Sequence, residues 1–171
     1  MKKTKRRCVW FRNCRINTAG MIVGASILVA VRIIVCLAVG VPISVFHYFR
    51  GNTPLPARWL YLLSDLISHA ALGAGVGIVL CDRRYAFEAQ KYRGAFYFAL
   101  AIVLGYLFHA FFFGIGFFLV AFVLTAMELF GLVIAMMNFY HVNKLCALLT
   151  LVGCAWACYR MLLAFFCFFV V

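Results

Sequence analysis

Charge is scarce along this chain: 12% of its 171 residues are charged and 68% are hydrophobic. An ordinary soluble domain is roughly half apolar and about a quarter charged. The shortage excludes a soluble globular fold and leaves an all-α integral membrane protein. A helix needs about 20 mainly apolar residues to cross the hydrocarbon, so there is room for about five spans in one domain and none for a second. Reactive motifs are missing as well. No nucleophile elbow, zincin helix, P-loop or dinucleotide fingerprint occurs, so the residues give no ground for an enzyme or for a required cofactor. No segment repeats at a solenoid period, and five spans do not divide into a simple inverted duplication. The eight cysteines, at 8, 14, 36, 81, 146, 154, 158 and 167, include no Cys-x-x-Cys pair. They read as free thiols inside apolar segments. Cys154 and Cys158 would share a helix face, but two thiols without further ligands make no metal site.

Turn and charge signals divide what is present. Residues 1–18 form a basic head, MKKTKRRCVWFRNCR and its continuation, followed by an apolar segment too long for a signal-peptide core and without a convincing cleavage site. Spans are expected at about 19–46, 59–81, 94–113, 117–139 and 145–171, separated by HYFRGNTPLPAR, by DRRYAFEAQKYR, by the Gly114 and Gly116 pair, and by FYHVNK. Seven Lys and Arg in the head, four after span two and Lys144 after span four face Arg50 and Arg58 on the other side. That bias implies a cytoplasmic N-terminus, and the expected location is a bacterial cell membrane. It also explains the net charge of +12 as membrane topology rather than nucleic-acid binding. Tyr48, Trp59, Tyr92 and Tyr140 suit interfacial belts. GAGVG, residues 73–77, reads as a close helix-packing face that also permits a homodimer.

Ionisable groups within spans are costly and should pair or face a cavity. Here they are Arg32, Asp65, Glu128 and Arg160, with His69 and His109 beside them, two acids against two bases. Asp65 and His69, four residues apart, share one face of span two. Such a pair meets a polar ligand, holds a proton or fixes helix register, and it lacks a third ligand for a metal. His109 reads as a hydrogen-bonded helix contact.

Three stretches carry a family likeness. FYHVNKLCALLTLVGCAW from Phe139 is similar to an aromatic, a basic polar turn, Ala147, the Leu148 and Leu149 pair, and Trp156; FHAFFFG from Phe108 keeps Phe112, Phe113 and Gly114; PLPARWLY keeps Pro56, Trp59 and Tyr61. Together, over about residues 20–170, they resemble the TspO/MBR family, the tryptophan-rich sensory and translocator (peripheral benzodiazepine receptor) proteins. The resemblance implies a five-helix transmembrane bundle with an inter-helix cavity for hydrophobic or amphipathic molecules, above all haem and other porphyrins, in a sensory or transport role. It also implies that the loop GNTPLPAR covers one mouth of the cavity. Departures fall on cavity positions: Asp65 and His69 stand where the family has Trp and Tyr, Gly105 and Ala164 where it has Asn, Val152-Gly153 where it has Pro-Tyr, and Arg160 where it has a small residue. The family's sterol motif is broken, because Tyr159 and Arg160 are adjacent.

The lining expected for a ligand is therefore Trp59, Asp65, His69, Phe108, Trp156 and Arg160, with Arg160 suited to a propionate. Two other readings stay open. A proton- or ion-coupled transporter would relay through Asp65, His69 and Glu128. A ligandless structural subunit would have its charges paired, with Asp65 touching Arg160.

Overall fold

The computed structural model describes residues 17–40, 56–82 and 87–170, and among these the apolar runs fold into five helices. The head to residue 16, loop residues 41–55 with Tyr48 and Arg50, and Arg83, Arg84 and Tyr85 lie outside the described residues. So do the expectations that rest on them, the covering loop and most of the charge bias. Helix α1, Thr18–Val39, starts where the Asn17 side chain accepts the Gly20 N–H at 3.1 Å, a side-chain cap for a group the helix cannot satisfy itself. It ends at Gly40, which takes φ 77°, a backbone that glycine adopts without strain; the rest of the expected span, to Phe46, lies outside the described residues. Helix α2 is Arg58–Leu80.

Helix α3, Glu88–His109, begins six residues before the expected Gly94 and widens at its far end into a π-helical turn, Ala110–Ile115. Gly116, at φ 79°, closes that turn with its N–H on the Phe111 carbonyl at 2.9 Å. Helices α4, Phe118–Val142, and α5, Lys144–Val170, are joined through the single residue Asn143. Its side chain accepts the Leu145 N–H at 3.0 Å, which starts α5 immediately. All five segments are long and apolar enough to cross a membrane, and the protein is a multi-pass integral membrane protein.

The helices pack in the ring order α1, α2, α5, α4, α3, and the ring closes only thinly between α3 and α1. Close approach of α1 to α2 depends on glycine. A Cβ on Gly77 would fall on the Gly20 carbonyl, and one on Gly73 on the Gly24 carbonyl. The GAGVG face is thus occupied within the chain, by α1 at Gly73 and Gly77 and by α5 at Gly75. A homodimer would need another face.

Two apolar clusters fill the ring at different depths. One joins Ile78, Phe98, Leu132, Phe139 and Cys146, toward the side of the α4–α5 turn. The other joins Tyr61, Phe108, Phe112, Leu163 and Cys167, toward the opposite side. Between them lies a layer of buried polar side chains drawn from all five helices: Arg32, Asp65, His69, His109, Glu128 and Arg160. Six cysteines lie among the described residues, with Cys146, Cys154 and Cys167 buried.

Candidate functional site

The polar layer is built around Asp65, one helical turn beyond Tyr61 on the inner face of α2. Its Oδ2 is ion-paired with Arg32 Nε, and its Oδ1 accepts the Trp156 indole N–H at 2.8 Å. Arg32, alone among apolar neighbours on α1, reaches across the thin side of the ring, where its Nη2 donates to His109 Nδ1 at 2.8 Å. A guanidinium only donates, so Nδ1 of His109 is the acceptor and a neutral ring carries its proton on Nε2. His69 Nδ1 stands 2.8 Å from the Asp65 backbone carbonyl, which only accepts, so that nitrogen holds the proton. The 3.7 Å gap from His69 to the Asp65 carboxylate is too long for a hydrogen bond.

A second pair lies beside the first. Arg160 of α5 donates through Nη2 to Glu128 Oε1 of α4. The space for Glu128 is made by Gly105, where a Cβ would sit 2.7 Å from Oε1. Glycine at this position therefore accommodates the carboxylate. The Arg160 guanidinium also lies over the Phe108 ring, 5.0 Å from its centroid, a favourable cation–π contact in a dry setting. Aromatic faces complete the layer. The His69 ring stacks on Tyr106 at 5.9 Å and 9°, and Trp156 stacks on Tyr159 at 5.1 Å and meets Tyr61 at 5.2 Å.

Donors and acceptors remain in excess. Arg32 Nη1, Arg160 Nε and Nη1, Glu128 Oε2 and the Tyr106 hydroxyl are buried without a hydrogen-bond partner among the described residues. Buried unsatisfied groups cost about 1–3 kcal/mol each, more when charged, so a water or ligand that engaged them would be held. A cavity of about 370 Å³ reaches this layer between α1 and α2, lined by Ile33, Cys36, Leu37 and Gly40 on one side and Arg58, Leu62, Asp65 and Leu66 on the other.

Of the residues expected in a lining, Asp65, His69, Phe108, Trp156 and Arg160 converge on this layer. Trp59 does not: in the first turn of α2 it is 67% exposed and points away from the ring, as an interfacial tryptophan would. The expected contact of Asp65 with Arg160 is also corrected. Arg32 takes Asp65 and Glu128 takes Arg160, because the ring order sets α1 beside α2 and α4 beside α5. Arg32, His109 and Tyr106 were not among the expected lining. The isolated arginine of α1 was a signal for the first, whereas nothing in the sequence distinguished Tyr106 from the many aromatic residues facing lipid.

Among the described residues no group of three or more His, Cys, Asp or Glu side chains is arranged to hold a metal ion. The arrangement instead offers paired charges, spare guanidinium donors and flat apolar faces at one depth of a membrane bundle. No curated protein and no solved structure matches the chain. The profile of the TspO/MBR family matches residues 27–169, from the middle of α1 to the end of α5. With five spanning helices over that same length, the chain belongs to the TspO/MBR family.

Proposed function

We propose that the protein binds an amphipathic small molecule carrying a carboxylate, of the tetrapyrrole class, in the polar layer within its ring of helices, and so senses or moves it. The coarser part, a membrane receptor or translocator, goes with family membership. The observation that carries the finer part is the set of buried guanidinium N–H groups on Arg32 and Arg160 without a partner among the described residues. A propionate accepts two such bonds at once. The faces of Phe108, Tyr106 and Trp156 suit a flat macrocycle, and a haem or porphyrin would be a ligand here, held between these rings and the two arginines. The 370 Å³ cavity between α1 and α2 meets the layer at Asp65, so a whole macrocycle that engages both arginines requires the ring to widen.

A titration of the purified protein with protoporphyrin IX, read by absorbance and tryptophan quenching, tests this. The expected Kd is on the order of micromolar, about 8 kcal/mol, with at least tenfold weakening for the dimethyl ester, which lacks the carboxylates, and for Arg160→Gln. A Kd above about 1 mM, worth about 4 kcal/mol, would sink the proposal.

The two completed ion pairs favour a second reading, a structural bundle whose charges serve one another. Under it neither porphyrin nor ester binds, while loss of either pair lowers stability.

A further inference from the structure

Away from the polar layer, on the outside of the bundle where α4 meets α5, a groove of about 570 Å³ is lined by apolar side chains and ends in polar ones. Met137, Leu148 and Leu151 face it, and Tyr140, His141 and Lys144 stand at its end by the α4–α5 turn. From Lys144 to Leu151 the groove follows α5 for about 10 Å at the helical rise of 1.5 Å per residue. It therefore runs from the helix end into the depth of the hydrocarbon.

We propose that this groove is a binding site for an anionic phospholipid, with one acyl chain along the apolar floor and the headgroup phosphate at Lys144. Charge decides the headgroup. Among the described residues no acidic side chain lines the groove, while the Lys144 ammonium stands at its end, where helix α5 begins. The ammonium lies 5.6 Å from the centroid of the Tyr140 ring, so the tyrosine holds it at the rim. Lys91 and Arg93, in the first turns of α3, lie at the same face of the membrane by the alternation of the spans. A phosphate arriving there meets Lys144, Lys91 and Arg93 alongside the acidic Asp82 and Glu88. Basic pockets between spans that collect anionic headgroups work by these forces, about 1 kcal/mol for each Lys or Arg near the surface. The floor decides the chain, since methionine and leucine side chains adapt to a flexible hydrocarbon and offer it no polar atom.

The test uses the full chain in phosphatidylcholine vesicles containing spin-labelled phosphatidylglycerol or spin-labelled phosphatidylcholine of the same chain length. The motionally restricted signal should favour phosphatidylglycerol about fivefold, the ratio that corresponds to one lysine, and this preference should fall to near unity in Lys144→Gln. Leu148→Trp, which fills the groove and leaves the charge, should remove restricted phosphatidylglycerol while Lys144 remains. Both side chains are exposed, so neither variant disturbs the core. Equal association of the two lipids with the unaltered protein would overturn the proposal. So would a preference that survives Lys144→Gln and disappears in Lys91→Gln, because the charge would then act as a diffuse surface field. A preference unchanged by Leu148→Trp would mean that the headgroup binds without the groove.

Discussion

At the scale of single residues, the polar layer sets the cost of each charge against its partner. Arg160 and Glu128 are 1% and 2% exposed, and a buried ion pair is weak evidence for stability, because desolvation offsets the attraction. Removing one partner is different, since it leaves an uncompensated charge in a dry interior, at about 3–5 kcal/mol. Arg160→Met alone is therefore expected to destabilise by about 3 kcal/mol, and Arg160→Met with Glu128→Leu by about 1 kcal/mol or less. Thermal unfolding in detergent of the two single variants and the double variant measures the coupling. If the double variant loses the sum of the single losses, the pair does not act as a unit. The charges themselves were legible in the sequence, since any arginine or carboxylate within an apolar span stands out. Their pairing was not. Asp65 goes to Arg32 instead of Arg160 because of which helices are neighbours, and neighbourhood is a property of the ring that no local pattern along α2 or α5 carries.

The elements were legible to different degrees for physical reasons. Hydrophobic length alone announces a spanning helix, so all five were evident, and the small residues of GAGVG announced close packing. Their counterpart, Gly20 and Gly24, is diluted among valine, isoleucine and alanine, and the intended partner of a glycine face is not written in the face itself. The π-helical turn was not legible, because an extra residue in a helical turn leaves no composition signal; Gly114 and Gly116 suggested only an end near the right place. What the glycines do can be separated by substitution. A Cβ at position 77 meets the backbone carbonyl of Gly20, which cannot move without shifting α1, whereas a Cβ at position 75 meets the Cys146 carbonyl at 3.3 Å and the Leu149 side chain at 3.4 Å. Gly77→Ala is expected to lower Tm by about 4–8 °C, the equivalent of about 2 kcal/mol for a chain of this size, and Gly75→Ala by no more than about half of that. The larger loss should come with α1 moved from α2 and Arg32 moved from Asp65, so Gly77→Ala should also weaken porphyrin binding. Equal effects at the two positions would show that the α1–α2 contact is not the tight one.

For the molecule as a whole, the ring is unequal around its circumference. Helix α1 is fastened to α2 by interlocking glycines and the Arg32–Asp65 pair, and α3, α4 and α5 form a broad continuous wall. Across the remaining side, from α1 to α3, the main polar tie is Arg32 to His109, with the guanidinium also 5.9 Å from the Tyr106 centroid. Local stability follows the density of such contacts, so α1 and α2 should swing together, opening the side facing α3 while keeping their own contacts intact. A macrocycle would reach Arg32 and Arg160 by that movement. The far end of the opening can be pinned. Gly114, in the π-helical turn, has space for a Cβ 3.4 Å from Cγ1 of Val39 at the last turn of α1, the position a cysteine sulfur would take there, so the two side chains are within reach of a bridge. In a Val39→Cys, Gly114→Cys variant, oxidation is expected to slow protoporphyrin association at least tenfold in stopped-flow quenching, and reduction to restore it, while the equilibrium unfolding of the oxidised protein shows no loss of stability. Association at the same rate in both redox states, with the disulfide verified by mass, would mean that ligand reaches the polar layer by another side of the ring.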